Sequence, residues 1–362
     1  MSAFHNPNGP FLAALFCCLF VTTAAAQTVD DIAKLLDTNT CAVLHLNSNK
    51  ILQKIDLDQP LVKSAKDQIE TDRSITVEDL QRFTFFLSSG EQADEHIALY
   101  PVGTCYWFAN PVAVEKIIES SNRDNWNYVR SEEFSQQVFV AKDPNLFNQK
   151  SAFYFPDDST IVSASFHVVD RLIDAQGLAN PELIAGFNAD AELYLAVDGA
   201  GMLRLRDERA AIGTASNPAL LEMKMPDGTD LFEALLRIEL IIALDNMVQL
   251  KLKLNAANVE HAKTIEQVIQ TVKLLGTGAI DGLLEDPQAK GLEDAGFDDL
   301  PQLLDLGKIL LQRMTIRRNE QVIEVDVAGM EGLDSLPQSL VKLYAAFTAM
   351  NSKTADESNS ID

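Results

Sequence analysis

The side chains best suited to chemistry in this chain are four histidines, two cysteines and one acidic stretch, all beyond position 26. His45 sits inside an apolar run, which points to a core imidazole rather than an exposed base. His96 follows Asp94 and Glu95, a grouping that suits either acid–base work or a solvated strand entrance. His167 and Asp170 are three residues apart on an expected helix, where such pairs are surface contacts worth a few tenths of a kcal/mol. Glu285, Asp286, Glu293, Asp294, Asp298, Asp299 and Asp305 face only Lys290, and clustered carboxylates are what calcium would want. Their spacing lacks the Asp-x-Asp-x-Asp-Gly of a loop that wraps one ion, so residues 285–305 are expected to be a solvated acidic loop. Cys41 and Cys105 each sit in an apolar, strand-like run. In an oxidising compartment they could form a disulfide, and otherwise they are two buried thiols. Two cysteines fall short of the four ligands of a closed zinc site.

Longer catalytic signatures fail residue by residue. There is no His-Glu-x-x-His to put two imidazoles on one helix face, and no Gly-x-Ser-x-Gly elbow. Gly307-Lys308 has Gln302 where a phosphate loop needs its first glycine. Asp198-Gly199-Ala200-Gly201-Met202-Leu203-Arg204 puts arginine at the third-glycine position of a dinucleotide loop, and is expected to be a strand-ending turn without a helix start behind it. Gly276-Thr277-Gly278-Ala279-Ile280-Asp281-Gly282 is expected to be a flexible connection between helices. No cofactor, metal or catalytic residue is assigned from these patterns.

The N-terminus speaks to compartment. Phe11–Thr22 is apolar up to its last residue and leads into Thr23-Ala24-Ala25-Ala26-Gln27, which fits a signal peptide cleaved after Ala26. Met1–Pro10 carries no Lys or Arg, a departure from the usual basic start. The run is shorter than the roughly 20 apolar residues of a membrane span. The expectation is an exported protein, periplasmic or extracellular, with no stable membrane span after cleavage. Its formal charge of −24 lies wholly beyond the leader. That excludes nucleic acid as a natural partner, because phosphate affinity comes from Lys and Arg. A small ligand or another exported protein remains.

The elements that must position these residues alternate along the chain. Strand-like runs occur at Ala42–Leu46, Phe83–Leu87, His96–Tyr100, Cys105–Ala109, Val138–Val140, Ala152–Phe155 and Ile161–Ala164. Helical spacing marks Asp30–Leu36, Val112–Ser120 (opened by Pro111) and Val168–Ile173. The order then recurs. Asp31–Asn47 is echoed by Glu182–Asp198, Arg82–Leu87 by Arg237–Ile242, and Tyr106–Ser120 by Leu250–Leu254 with Val259–Leu274. The hairpin Ala152–Ser165 and its helix are echoed by Met314–Val327 with Leu336–Thr348. The expected fold is α+β, two related modules of antiparallel or mixed sheet with helices on one face, spanning residues 27–180 and 181–350 and followed by a disordered tail, 351–362. Connections at Arg204–Gly228 and Thr277–Pro301 lengthen the second module.

The leader, the helix end Leu35-Leu36-Asp37-Thr38-Asn39-Thr40 and the strand Cys41–Leu46 together resemble a diffuse class of uncharacterised exported bacterial proteins built from repeated α+β modules. The resemblance is one of layout and carries no site residues. It implies a non-enzymatic binding or structural protein of the envelope. A hydrolase with a dispersed Asp/Glu site, which leaves no local motif, is the alternative.

Overall fold

The computed structural model describes residues 32–33, 36–58, 60–88, 102–123, 126–142, 150–175, 181–187, 191–211, 224–226, 228–244, 248–284, 300–330 and 338–339. The leader, His96, residues 285–299 and the tail lie outside them. Among the described residues twelve strands form one sheet. They are β1 Thr40–Leu46, β2 Leu80–Ser88, β3 Val102–Phe108, β4 Tyr128–Arg130, β5 Gln137–Ala141, β6 Ser151–Asp157, β7 Thr160–Ser165, β8 Leu193–Asp198, β9 Leu235–Ala243, β10 Val248–Ala256, β11 Thr315–Asn319 and β12 Val322–Met330. The helices are α1 Ser48–Leu52, α2 Pro60–Arg73, α3 Val114–Arg123, α4 Phe166–Ala175, α5 Pro181–Ile184, α6 Gly199–Ala211, α7 Leu231–Ala234, α8 Val259–Leu284 and α9 Leu300–Arg313. The fold is α+β, as expected, and every strand pair is antiparallel.

Across the sheet the order is β11-β12-β10-β9-β8-β1-β2-β3-β7-β6-β5-β4, so β8 and β1 meet at the centre. Each half runs outward from that seam in the same sense: β1-β2-β3-β7-β6 on one side, β8-β9-β10-β12-β11 on the other. Side chains alternate between faces along a strand and are shared across pairs, so register assigns each residue a face.

On the lower face, α1, α2 and α3 pack Ile51, Leu52, Val62, Val114, Ile117 and Ile118 against Leu46, Phe83, Phe108 and Ile161. In the second half α8 places Ala262 and Ile265 against Leu254, Ile323 and Val325, while α9 sets Leu306 against Val327. The upper face of the first half is also covered. Val168, Val169 and Leu172 of α4, with Ile32, Leu36 and Leu183, close over Val43, Phe86, Cys105, Trp107 and Val162. Helices on one face therefore describe only β10, β12 and β11, since Leu183 and Ile184 of α5 join the upper cluster with Tyr194, Ala196 and Ile241. The strands show why: β2 and β3 read FTFFLS and TCYWF, apolar on both sides, whereas β10 reads VQLKLKLNA and alternates.

Three further expectations are revised. The glycines at 276, 278 and 282 lie within the continuous helix α8 rather than in a connection. Gly276 packs under Leu311 of α9, where a Cβ would come within 2.7 Å, and this pairing outweighs the low helix propensity of glycine. Helix α6 starts directly after β8, where none was expected, because the Asp198 carboxylate caps it by accepting from Ala200 N and Gly201 N at 3.1 Å each. Helix α3 begins at Val114, three residues after Pro111.

Candidate functional site: an open, charged sheet face

The upper face of β10, β12 and β11 has no helix packed on it among the described residues and carries charged side chains, whereas on β9 Ile241 packs with Ile184 and Phe187 and Glu239 lies against Gly186. One cross-strand row runs Glu239, Lys253, Glu324, Arg317, alternating in sign at each step. The next row is Ile241, Lys251, Asp326, Thr315. Lys251, Lys253, Glu324 and Arg317 are exposed. The register sets unlike charges opposite each other, an arrangement worth about 0.2–1 kcal/mol per pair where the side chains meet. Arg317 Nη2 lies 3.9 Å from Asp326 Oδ2. Lys251 and Lys253 make no ion pair within 4 Å among the described residues. Towards the seam the face becomes buried. Arg237 Nη2 donates to Glu239 Oε2 at 2.7 Å and to the Tyr194 hydroxyl at 3.4 Å. Burial, and then the Glu239 charge, pushes the Tyr194 phenol up to about 12. Tyr194 donates in turn to the Leu183 carbonyl at 2.8 Å. Counting Arg237 with Lys251, Lys253 and Arg317, the face holds four cations against Glu239, Glu324 and Asp326, a local excess of positive charge in a chain of net charge −24.

These residues carry no motif and were missed as site candidates. The signal was present as strict apolar–charged alternation in Leu250–Lys253 and Ile323–Asp326.

The polar groups that were candidates form no metal-holding cluster among the described residues. His45 is fully buried, its Nδ1 sharing a 2.7 Å hydrogen bond with Thr84 Oγ1 and its ring meeting Phe187 edge-on. Burial and then the Arg82 charge lower its pKa to about 3, so it is neutral at any physiological pH. His167 and Asp170 share no hydrogen bond or ion pair among the described residues. Residues 300–305 of the expected acidic loop belong instead to α9, where Asp305 lies 3.8 Å from Lys308, one helical turn on. Cys41 and Cys105 are free and buried, and the disulfide is overturned. They lie on β1 and β3 with β2 between them, and two strand spacings of about 4.8 Å exceed the roughly 7 Å Cα limit for a bridge. Burial pushes the Cys41 thiol up to about 12 and Cys105 well above its usual value.

A buried ion pair near the seam is structural as well. Asp37 Oδ2 accepts from Arg171 Nε at 2.7 Å, and Ser88 Oγ donates to Asp37 Oδ1 at 2.9 Å, which ties the segment before β1 to the end of β2 and to α4. On the second side of the seam Glu192 Oε2 accepts from Leu244 N at 2.8 Å, and Lys54 reaches across to donate to the Leu244 carbonyl. Glu70 and Glu78 are the described carboxylates whose pKa values are driven apart. Glu70 is raised, chiefly by burial; Glu78 is also pushed up by burial but lowered overall by hydrogen bonds led by the one from Lys66. Both are locked in place, Glu78 by Lys66 and Glu70 by Val77 N at 2.9 Å, so they close the turn between α2 and β2.

Comparison with known proteins supplies no family. No protein-family model matches the chain, and no curated protein does. Among solved structures, a crystal form of TP0453 aligns over 88% of this chain and all of its own, with 11% identity and a TM-score of 0.39, too low to support an argument from likeness. No described helix is long and apolar enough to cross a membrane.

Proposed function

We propose that this is an exported, non-enzymatic binding protein whose working surface is the open upper face of β10, β12 and β11. The observation that carries the reading is the contrast between two halves of one sheet. The first half buries its upper face under α4 with Ile32 and Leu36, while β10, β12 and β11 leave theirs to solvent and line it with charged side chains. A face of alternating cations and carboxylates favours polar partners of complementary charge over apolar ones. The first half, with cores on both faces, is the rigid support.

The test compares proteins captured from the native exported fraction by three forms of the chain. They are the wild type, a Lys251→Glu/Lys253→Glu variant and a Lys116→Glu/Lys142→Glu control of equal charge change on the first half. Partners retained by the control and lost from the β10 variant are the expected result. An identical set captured by all three would refute the reading.

A further inference from the structure

We propose that the chain is a fused pair of copies of one module, joined about a two-fold axis between Leu44 and Leu195, so that the β1–β8 seam is a self-recognition surface whose natural partner is a second copy of the same module. This stands apart from the binding function above and does not depend on it.

The sequence matching of Asp31–Asn47 with Glu182–Asp198, and of Arg82–Leu87 with Arg237–Ile242, makes a strict demand on register. If Ala42 corresponds to Leu193 and Leu87 to Ile242, the pair Ala42–Leu87 must recur as Leu193–Ile242, and it does. Val43–Phe86, Leu44–Phe85, His45–Thr84 and Leu46–Phe83 recur in step as Tyr194–Ile241, Leu195–Leu240, Ala196–Glu239 and Val197–Ile238.

Irregular features recur as well, and strand alignment alone cannot generate them. β2 skips one residue between Leu80 and Arg82 as it passes Phe108 and Trp107. β9 skips one between Leu235 and Arg237 as it passes Ala256 and Asn255, which are the matching positions. A bulge is an extra, unpaired residue at a defined place, so its recurrence is a strong mark of common construction. Beyond it, Phe108 N bonds Ser159 O at 2.8 Å and Ala256 N bonds Gln321 O at 2.8 Å. The next amides, Ala109 N and Ala257 N, turn back to Asp79 O and Ala234 O, the residues immediately before β2 and β9.

The seam supplies the axis. Leu44 faces Leu195, its own counterpart. On either side Val43 faces Ala196 and His45 faces Tyr194, while Ala42 faces Val197 and Leu46 faces Leu193. Each contact therefore has its mirror partner, which is the signature of an isologous interface. The copies have diverged most on the upper face. At matched positions the first carries Thr84, Cys105 and Val162, all buried, and the second carries Glu239, Lys253 and Glu324, of which Lys253 and Glu324 are exposed.

Two measurements on the full chain test the proposal. In the first, cysteine pairs placed at Leu44/Phe85 and at Leu195/Leu240 should both oxidise to a cross-link, while pairs displaced by two residues, Leu44/Phe83 and Leu195/Ile238, should not. A cross-link that closes in one half and fails in the other would overturn equal register. In the second, which needs no substitution, an experimental structure should superpose β1, β2, β3 and β7 on β8, β9, β10 and β12 by a single rotation of about 180°. A rotation far from that value, or no single rotation for all four strands, would overturn the fused pair.

Discussion

At the residue scale the molecule spends its unusual polar groups on structure. His45 is held neutral in the folded chain with a pKa near 3, while an unfolded chain would protonate it near its ordinary 6.5. Below about pH 6.5 the unfolded state therefore binds the extra proton. The stability that neutral His45 contributes is complete above that pH and is lost as pH falls towards 3, with a slope approaching about 1.4 kcal/mol per pH unit. Urea midpoints at pH 7, 6 and 5 should fall steeply for the wild type and less steeply for His45→Gln; equal slopes would contradict the assignment. Cys41 and Cys105 should resist thiol reagents at pH 8 in the folded protein and both react in denaturant, since burial disfavours the thiolate. A mass change showing them paired would contradict their placement. The core position of His45 was legible because its neighbours Val43, Leu44 and Leu46 are apolar. The separation of the cysteines was not, because it depends on which strand lies between β1 and β3, a non-local fact.

At the scale of elements, glycine misled. A glycine-rich run looks like a break when only local propensity is counted, yet α8 passes through Gly276, Gly278 and Gly282 because α9 packs along it and Lys273 Nζ donates to the Met314 carbonyl at 2.6 Å. Gly278 has nothing within 4 Å of a built Cβ, so Gly278→Ala should stabilise the fold by about 0.5–1 kcal/mol through helix propensity alone. Gly199 is the opposite case. A Cβ there would sit 1.8 Å from the Leu235 carbonyl oxygen, backbone that cannot swing aside, so Gly199→Ala should cost about 2–3 kcal/mol. Urea unfolding of the two variants should shift in opposite directions, and a common direction would contradict both assignments. Periodicity also could not say which stripe of α8 goes inward. Ala262, Ile265 and Ile269 meet the sheet, while Val268, Val272 and Leu275, spaced equally well, face solvent.

For the whole molecule, the α+β class and most strands were legible from short apolar runs, whereas the order of the strands across the sheet was not. Single-sheet continuity was not legible, because the pairing of β1 with β8 joins residues some 150 positions apart and leaves no local trace. That pairing gives one sheet two unlike upper faces, one wrapped and one open, and the proposed function rests on the difference. Amine labelling of the lysines, read by mass spectrometry, tests it most directly. In purified protein Lys251 and Lys253 should label as readily as exposed Lys116. In the native exported fraction the account predicts that Lys251 and Lys253 become protected while Lys116 does not. Equal labelling of all three in both settings would contradict a partner on the open face.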